Sequence, residues 1–129
     1  MSGYKDDIIS ILKHNSMYHR EATGLILGQS GGRELLEHLE SKMFPVIGKY
    51  EKSIILFDYI VLNRYQVDVP SLIKAFSSVS VGGIIVLELD GETDYGKNYY
   101  SQFGGFSANK IKYDDRYYMV IHSGVDYGD

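Results

Sequence analysis

Hydrophobic residues recur along the chain in two patterns, one typical of helices and one typical of buried strands. Apolar residues at helical spacing predict helices over 4–18, 33–43 and 69–78. Short apolar runs predict strands over 23–27, 45–50, 59–62 and 84–89. Strands therefore alternate with helices over the first two thirds of the chain.

The last third has a different pattern. Residues 106–113 and 116–122 are strand-like runs on either side of Asp114 and Asp115, which predicts a β-hairpin. Residues 90–105 are polar and glycine-bearing, and we expect a loop there with a short helix around 95–103. The polar tail 123–129 is expected to fray.

This order of elements predicts an α/β fold, a layered and mostly parallel sheet with a C-terminal antiparallel hairpin. We interpret residues 1–129 as one domain, with an N-terminal helix in 1–20, a core in 22–122 and a tail in 123–129. Right-handed crossovers would place helices on both faces of the sheet. Ligands bind such sheets beyond the carboxyl ends of the strands. The candidate site is therefore the set of turns after Leu27, Tyr50, Leu62 and Leu89.

Composition excludes several classes of protein. The chain has 129 residues, 44% of them hydrophobic, so it can bury a sizeable core. It has no cysteine, which rules out disulfides and thiolate metal sites. The longest apolar runs are shorter than the ~20 residues of a membrane helix. The formal net charge of −4 argues against nucleic acid as the main partner. We therefore expect a soluble, cytoplasmic domain.

A glycine-rich turn joins the first predicted strand to the second predicted helix: Gly28, Gln29, Ser30, Gly31 and Gly32. Glycine lets the backbone approach a ligand closely, and the N–H groups at the start of the following helix can receive an anion. The alternative is a tight turn that needs glycine only for its backbone angles.

Two polar residues flank the strand predicted over 59–62. Asp58 precedes it, and we interpret its carboxylate as a cap for nearby backbone N–H groups. Asn63 follows it, either as a ligand contact or as a residue that holds the turn.

Four carboxylates alternate after the strand predicted over 84–89: Glu88, Asp90, Glu92 and Asp94. Such oxygens can bind a divalent cation, but we favour a solvated acidic loop and predict no metal site. Glu88 directly extends an apolar strand, so its carboxylate should need a partner. The histidines share no metal-ligand spacing, and no catalytic residue is predicted.

Four stretches together resemble the class I S-adenosylmethionine-dependent methyltransferases, over roughly residues 22–122. Residues 25–32 resemble the glycine-rich first motif, and 57–63, with Phe-Asp before an apolar strand, resemble the fourth-strand motif. Residues 81–88 resemble the glycine pair that opens strand five, and 105–122 resemble the closing strands six and seven, with the seventh antiparallel.

The resemblance implies a Rossmann-like three-layer sandwich that binds S-adenosylmethionine and transfers its methyl group to an unknown acceptor. The residues implied to bind the cofactor are those of the glycine turn (Gly28, Gln29, Ser30, Gly31 and Gly32), with Glu51 on the ribose and Asn63 on the acceptor side. Methyl transfer to a nucleophilic acceptor needs mainly positioning.

The chain departs from the family pattern in three places. Ser30 stands at the middle glycine of the first motif, and the apolar Ile26 stands where the family has an acidic residue. The stretch between Glu51 and Phe57 is too short for the helix and strand that hold the adenine ring.

These departures leave two further hypotheses open. The first is a non-catalytic, methyltransferase-like scaffold or interaction module, and the second is another nucleotide-binding α/β domain. Loss of the helix–strand unit would expose a sheet edge, so we expect a homodimer or another protein partner along it.

Overall fold

The computed structural model describes residues 3–27, 31–51, 56–91 and 106–124. Three helices lie in the described chain: α1 (Tyr4–His14), α2 (Gly31–Ser41) and α3 (Val69–Ser78). Six strands accompany them: β1 (Gly24–Leu27), β2 (Val46–Ile47), β3 (Phe57–Leu62), β4 (Val79–Leu89), β5 (Phe106–Tyr113) and β6 (Arg116–Ser123). A short 3-10 turn covers Arg64–Gln66.

The six strands form one sheet in the order β2-β1-β3-β4-β6-β5. Strands β1 to β4 pair in parallel, and β6 pairs antiparallel with both β4 and β5. The predicted α/β class and the C-terminal antiparallel hairpin are therefore confirmed. Only nine residues join β2 to β3, which runs parallel to it on the other side of β1. Nine residues are too few to hold a further helix and strand in addition to this crossover, and β2 is the edge strand of the described sheet.

Apolar residues cover both faces of the sheet, as the predicted right-handed crossovers require. On one face, Ile8, Ile11 and Leu35 of α1 and α2 pack against the strands. On the other, Leu72 and Phe76 of α3 do so. We call these the α1/α2-side core and the α3-side core. Neighbouring residues in a strand alternate between them, as Tyr118 and Tyr117 of β6 do.

Helices α1 and α2 differ from the prediction at three boundaries, one of which is the end of α2 at Ser41 rather than at residue 43. Helix α1 ends at His14 rather than at residue 18, because Ser16 adopts a positive φ of 59°. Helix α2 begins at Gly31 rather than at residue 33, so two residues of the predicted glycine turn are helical. Helix α3 occupies the predicted range, with the Asp68 carboxylate accepting the Ser71 N–H at 2.8 Å.

Strand β4 begins five residues before the predicted start at residue 84, so Gly82 and Gly83 lie within the strand rather than before it. Gly82 has a φ of +86°, and a Cβ on Gly83 would lie 2.6 Å from the Asp58 carbonyl oxygen. These glycines therefore permit an irregular register against β3 within a continuous strand.

No helix among the described residues is long and apolar enough to cross a membrane. The expected short helix around 95–103 and most of the tail 123–129 fall outside the described residues.

Candidate functional site

The parallel strands bring three turns to one edge of the sheet, the carboxyl edge. Leu27 of β1 is in register with Leu62 of β3, and Leu62 is in register with Leu87 of β4. The next residues along β3 and β4 are Asn63 and Glu88, which therefore lie side by side on strands about 4.8 Å apart. The equivalent turn after β1 begins with Gly28, Gln29 and Ser30, which lie outside the described residues.

Strand alternation directs Asn63 and Glu88 to the same face. Val61 and Val86 contribute to the α1/α2-side core, whereas Leu62 and Leu87 contribute to the α3-side core. Asn63 and Glu88, each two residues beyond a valine, therefore point toward α1 and α2. Both polar side chains therefore lie on the face of the sheet that α1 and α2 cover.

Asn63 has a structural role in the turn after β3. Its side chain is buried, and its Oδ1 accepts the backbone N–H of Tyr65 at 3.1 Å, which caps the 3-10 turn. This contact supports the interpretation that Asn63 holds the turn.

Glu88 is half-buried and has the partner that the sequence analysis expected. Its Oε1 accepts the backbone N–H of Arg64 at 3.1 Å. A cavity of about 200 Å³ opens beside it, lined by Arg64, Val67, Glu88, Leu89 and Asp90. The Arg64 guanidinium lies over the Tyr65 ring, 5.1 Å from its centroid, and its Nη1 is 3.9 Å from Asp90. Glu88 thus adds a carboxylate to the wall of a small cavity.

Two glycines of the predicted turn have packing roles. A Cβ on Gly31 would lie 2.7 Å from the Tyr4 ring, and one on Gly32 would lie 3.2 Å from the Leu27 carbonyl oxygen. Glycine at these positions therefore lets α1 and the end of β1 approach the start of α2.

Tyr4 is the residue at this edge that the sequence analysis missed. It begins α1, and its ring centroid lies 6.3 Å from that of Tyr118. Its hydroxyl oxygen is buried and has no hydrogen-bond partner among the described residues. Burial, and then the charge of Glu88, raises the pKa of Tyr4 well above its ordinary value of 10. No local motif marks Tyr4, because its neighbours come from distant parts of the chain.

A buried ion pair fixes the start of α1 beside the edge. Arg116 of β6 donates from Nε and Nη2 to the Asp7 carboxylate, at 2.5 and 3.0 Å. The Tyr118 hydroxyl also donates to Asp7, at 2.6 Å. These hydrogen bonds raise the pKa of Arg116 above its ordinary value, so the guanidinium stays charged.

The resemblance also singles out Ile26 and Glu51, and the structure places these two residues in different surroundings. Ile26 is buried in the α1/α2-side core and brings no polar group to the edge. Glu51 is exposed, four residues beyond the end of β2.

Tyr50 lies between β2 and Glu51. Its ring packs against the α3-side core, with Lys74 Nζ 5.3 Å from the ring centroid. Burial raises the pKa of Tyr50 to about 12.

The acidic segment gives no metal cluster within the described residues. No group of three or more histidine or carboxylate side chains is arranged there to hold an ion. Glu88 and Asp90 are described, whereas Glu92 and Asp94 lie outside the described residues.

No protein-family model matches the chain, and no curated protein sequence matches it either. Solved structures do match. The N-methyltransferase NodS from Bradyrhizobium japonicum WM9 superposes with a TM-score of 0.56 at 11% identity, covering 95% of this chain and 97% of that one. An rRNA methylase from Streptococcus thermophilus gives 0.54 at 8% identity, covering 92% and 96%. A putative rRNA-methylase from Clostridium thermocellum gives 0.51 at 11% identity, covering 92% and 83%.

These likenesses show that the chain has the methyltransferase-like Rossmann fold over almost all of its length. At sequence identities of 8–11%, these likenesses establish the fold alone, because one fold hosts many functions and activity depends on the site.

Proposed function

We propose that this chain binds S-adenosylmethionine at the carboxyl edge of its sheet and is a methyltransferase-like protein with an unknown methyl acceptor. The observation that carries the proposal is the meeting of Asn63, Glu88 and the start of α2 at one edge of this fold. In open α/β sheets this edge is where ligands bind.

The residues at the edge fit such a ligand in part. The buried Tyr4 hydroxyl, which lacks a partner in the described chain, supplies a donor, and Glu88 supplies a carboxylate. The cofactor-binding residues of the proposal remain Gly28, Gln29, Ser30, Gly31, Gly32, Glu51 and Asn63. When bound, the cofactor would supply a methyl group on a sulfonium, and the chain's own residues would position it.

Thermal unfolding with added S-adenosylmethionine or S-adenosylhomocysteine tests the proposal. A ligand that binds only the folded chain raises its stability by about 2.7 kcal/mol at 100 times the dissociation constant. For a domain of this size the melting temperature should rise by about 10 °C. ATP is the control for general nucleotide binding. An unchanged melting temperature at millimolar S-adenosylhomocysteine would contradict the proposal.

Backbone amide NMR shifts locate the binding. We expect S-adenosylhomocysteine to shift the signals of residues 28–32, Glu51 and Asn63. The signals of Gly82 and Gly124 should stay in place. These two glycines lie at the opposite end of the strands from the carboxyl edge, because Gly82 precedes Ile84 of β4 and Gly124 follows Ser123 of β6. Larger shifts at Gly82 or Gly124 than at the carboxyl edge would argue against this location.

A second candidate is a methyltransferase-like module that binds a protein rather than the cofactor. Specific observations favour it: Ile26 lies in the core, and Gly31 and Gly32 are explained by contacts within the chain. This candidate predicts no response to either sulfur ligand, so the same titration separates it from the first.

We also propose a cytoplasmic location. The chain has no cysteine, and secreted domains of small size commonly depend on disulfides. Fractionation of cells that express the natural protein tests the location, and recovery from the extracellular medium would contradict it.

A further inference from the structure

The outer strand of the C-terminal hairpin, β5, lies at the edge of the described sheet. The strand order β2-β1-β3-β4-β6-β5 leaves β5 paired with β6 on one side only. All eight residues of β5 are in unbroken register with β6, from Phe106 opposite Ser123 to Tyr113 opposite Arg116. The edge strand on the other side, β2, has two residues. The outer side of β5 is therefore the longer row of edge backbone groups in the described sheet.

Strand β5 lacks two features that commonly prevent pairing at a sheet edge. Its sequence contains no proline, and its register with β6 shows no bulge. None of its residues is fully buried. A long, regular edge strand can accept a further strand, whose main chain then hydrogen-bonds to the exposed N–H and C=O groups. The backbone of β5 is thus suited to strand addition.

Lys110 and Lys112 give one face of this edge a positive charge. They are the closest pair of lysine or arginine residues in the sequence, and both are exposed. Because they lie two residues apart in a strand, their side chains point to the same face. Lys112 Nζ lies 5.4 Å from the centroid of the Tyr117 ring, which packs against the α3-side core. A strand added beside β5 would therefore meet two lysines on its α3 side.

The opposite face of β5 carries no charge. Ser107 and Asn109 are exposed there, whereas Ile111 and Tyr113 pack against the α1/α2-side core. Side chains of opposite charge that face each other across two strands stabilise the pair, and like charges destabilise it. The complement of β5 is therefore an extended segment with acidic residues at alternate positions.

The same lysines disfavour a second copy of this chain as the occupant. A twofold axis perpendicular to the sheet would pair two β5 strands antiparallel and keep their faces aligned. Lys110 and Lys112 of both copies would then crowd one face of the joint sheet, where like charges at neighbouring positions are destabilising. Charge complementarity thus favours a different protein with an acidic segment.

We propose that β5 is a docking edge for an acidic, extended segment of another protein, which adds to the sheet as a further strand. Main-chain hydrogen bonds hold the segment, and its alternating carboxylates pair with Lys110 and Lys112. The inference goes beyond the proposed function and does not depend on cofactor binding, because β3, β4 and β6 separate β5 from the turn after β1.

A capped peptide of the same length as β5, in which glutamate alternates with threonine, is the probe. Titration into the whole chain at low salt, followed by backbone amide NMR shifts, gives both the location and the dissociation constant. We expect the largest shifts along residues 106–113. The signals of Val46 and Ile47, in the other edge strand, should stay in place. Absence of any shift at millimolar peptide would overturn the proposal.

A pair of double variants tests the lysines. K110E/K112E should weaken peptide binding by about tenfold, because two pairs of opposite charge become pairs of like charge. K42E/K49E makes the same change of charge at two exposed residues outside β5 and should bind the peptide as the unchanged protein does. Only exposed side chains change, so both variants should melt as the unchanged protein does. Equal weakening in the two variants would overturn the role of the lysine pair.

Two further peptides test the binding mode on the unchanged protein. A peptide with lysine in place of glutamate should not bind, because its charges match those of β5. A peptide with proline in place of threonine keeps the carboxylates but cannot pair as a regular strand, and it should not bind either. Equal binding of the proline peptide would show charge attraction without strand addition and would overturn the proposal. A dimer of the free protein with slowly exchanging β5 amides would assign the edge to a second copy, which would also overturn it.

Discussion

Asp7 of α1 and Arg116 of β6 form a two-point ion pair across 109 positions of the chain. The Asp7 side chain is only 2% exposed, and it also accepts the Tyr118 hydroxyl at 2.6 Å. The pair ties the N-terminal helix to the C-terminal hairpin. It thereby holds Tyr4, which lies one turn earlier in α1, against the carboxyl edge of the sheet.

Replacement of Asp7 by alanine should destabilise the fold. The change leaves the Tyr118 hydroxyl buried without its acceptor and the Arg116 guanidinium without its counter-ion. We expect a loss of about 3 kcal/mol in the free energy of unfolding, measured by urea denaturation. The control is D114N, since Asp114 is 82% exposed and lies 3.8 Å from the same guanidinium. It should change stability by less than about 0.5 kcal/mol. Equal effects of the two variants would contradict the importance of the buried pair.

Stability should fall at alkaline pH because of the buried tyrosines. Burial raises the pKa of Tyr50 to about 12, and it raises the pKa values of Tyr4, Tyr59 and Tyr118 further. Tyrosines in the unfolded chain titrate near 10. Above pH ~10 the unfolded state therefore binds fewer protons than the folded state, so the free energy of unfolding decreases as pH rises.

The melting temperature measured between pH 8 and pH 11 checks this dependence. It should be nearly constant up to about pH 9.5 and then fall. Y50F should make the fall shallower, because it removes one of the groups whose pKa is raised. An alkaline slope in Y50F as steep as in the unchanged protein would refute the contribution of Tyr50.

The contact between Gly31 and Tyr4 predicts a coupling between two substitutions. A Cβ at Gly31 would lie 2.7 Å from the Tyr4 ring, so G31A should destabilise the protein by about 1–3 kcal/mol. In the Y4A background the ring is absent, and alanine suits a helix better than glycine. G31A should then be neutral or slightly stabilising. A double-mutant cycle measures the coupling. Additive effects would show that contact with the Tyr4 ring is not what requires glycine at position 31.

Asp58 joins β3 to the start of β1 through reciprocal hydrogen bonds. Its Oδ2 accepts the Thr23 N–H at 2.8 Å, and its own N–H donates to the Thr23 carbonyl oxygen at 2.8 Å. D58A should therefore lower the free energy of unfolding by about 1–2 kcal/mol. D58N keeps a side-chain oxygen acceptor and should cost less. A loss in D58N as large as in D58A would mean that the charge rather than the acceptor matters.

The unpaired side of the edge strand β2 indicates how the protein would associate if the second candidate function holds. Val46 and Ile47 pair with β1 on one side only within the described sheet. We propose that a second copy of the chain, or another protein partner, covers this edge. If the partner is a second copy, light scattering at micromolar concentration should give twice the mass of one chain for the purified protein. The mass of a single chain would exclude the homodimer.

Local signals were sufficient where neighbouring residues determine the structure. Pro70 and the Asp68 cap define α3, and Asp114 with Asp115 define the hairpin turn, so both elements lie where the sequence predicted them. The turn-holding role of Asn63 is one of the two roles that local chemistry predicted. Asp58 accepts a backbone N–H as predicted, but the donor is Thr23, which lies 35 positions away along the chain. The predicted start of β4 at residue 84 was wrong, because the role of Gly82 and Gly83 depends on the neighbouring strand β3.

The sequence by itself determined the α/β class, the alternation of elements and which turns lie at the carboxyl ends of the parallel strands, because hydrophobic periodicity and turn chemistry act over a few residues. Only the tertiary structure decided which side chains meet at the carboxyl edge. Tyr4, Gly31, Glu88 and Tyr118 come from four separate elements, and their proximity depends on strand order, register and the Asp7–Arg116 pair. Contacts between residues so far apart leave no periodic pattern in the chain.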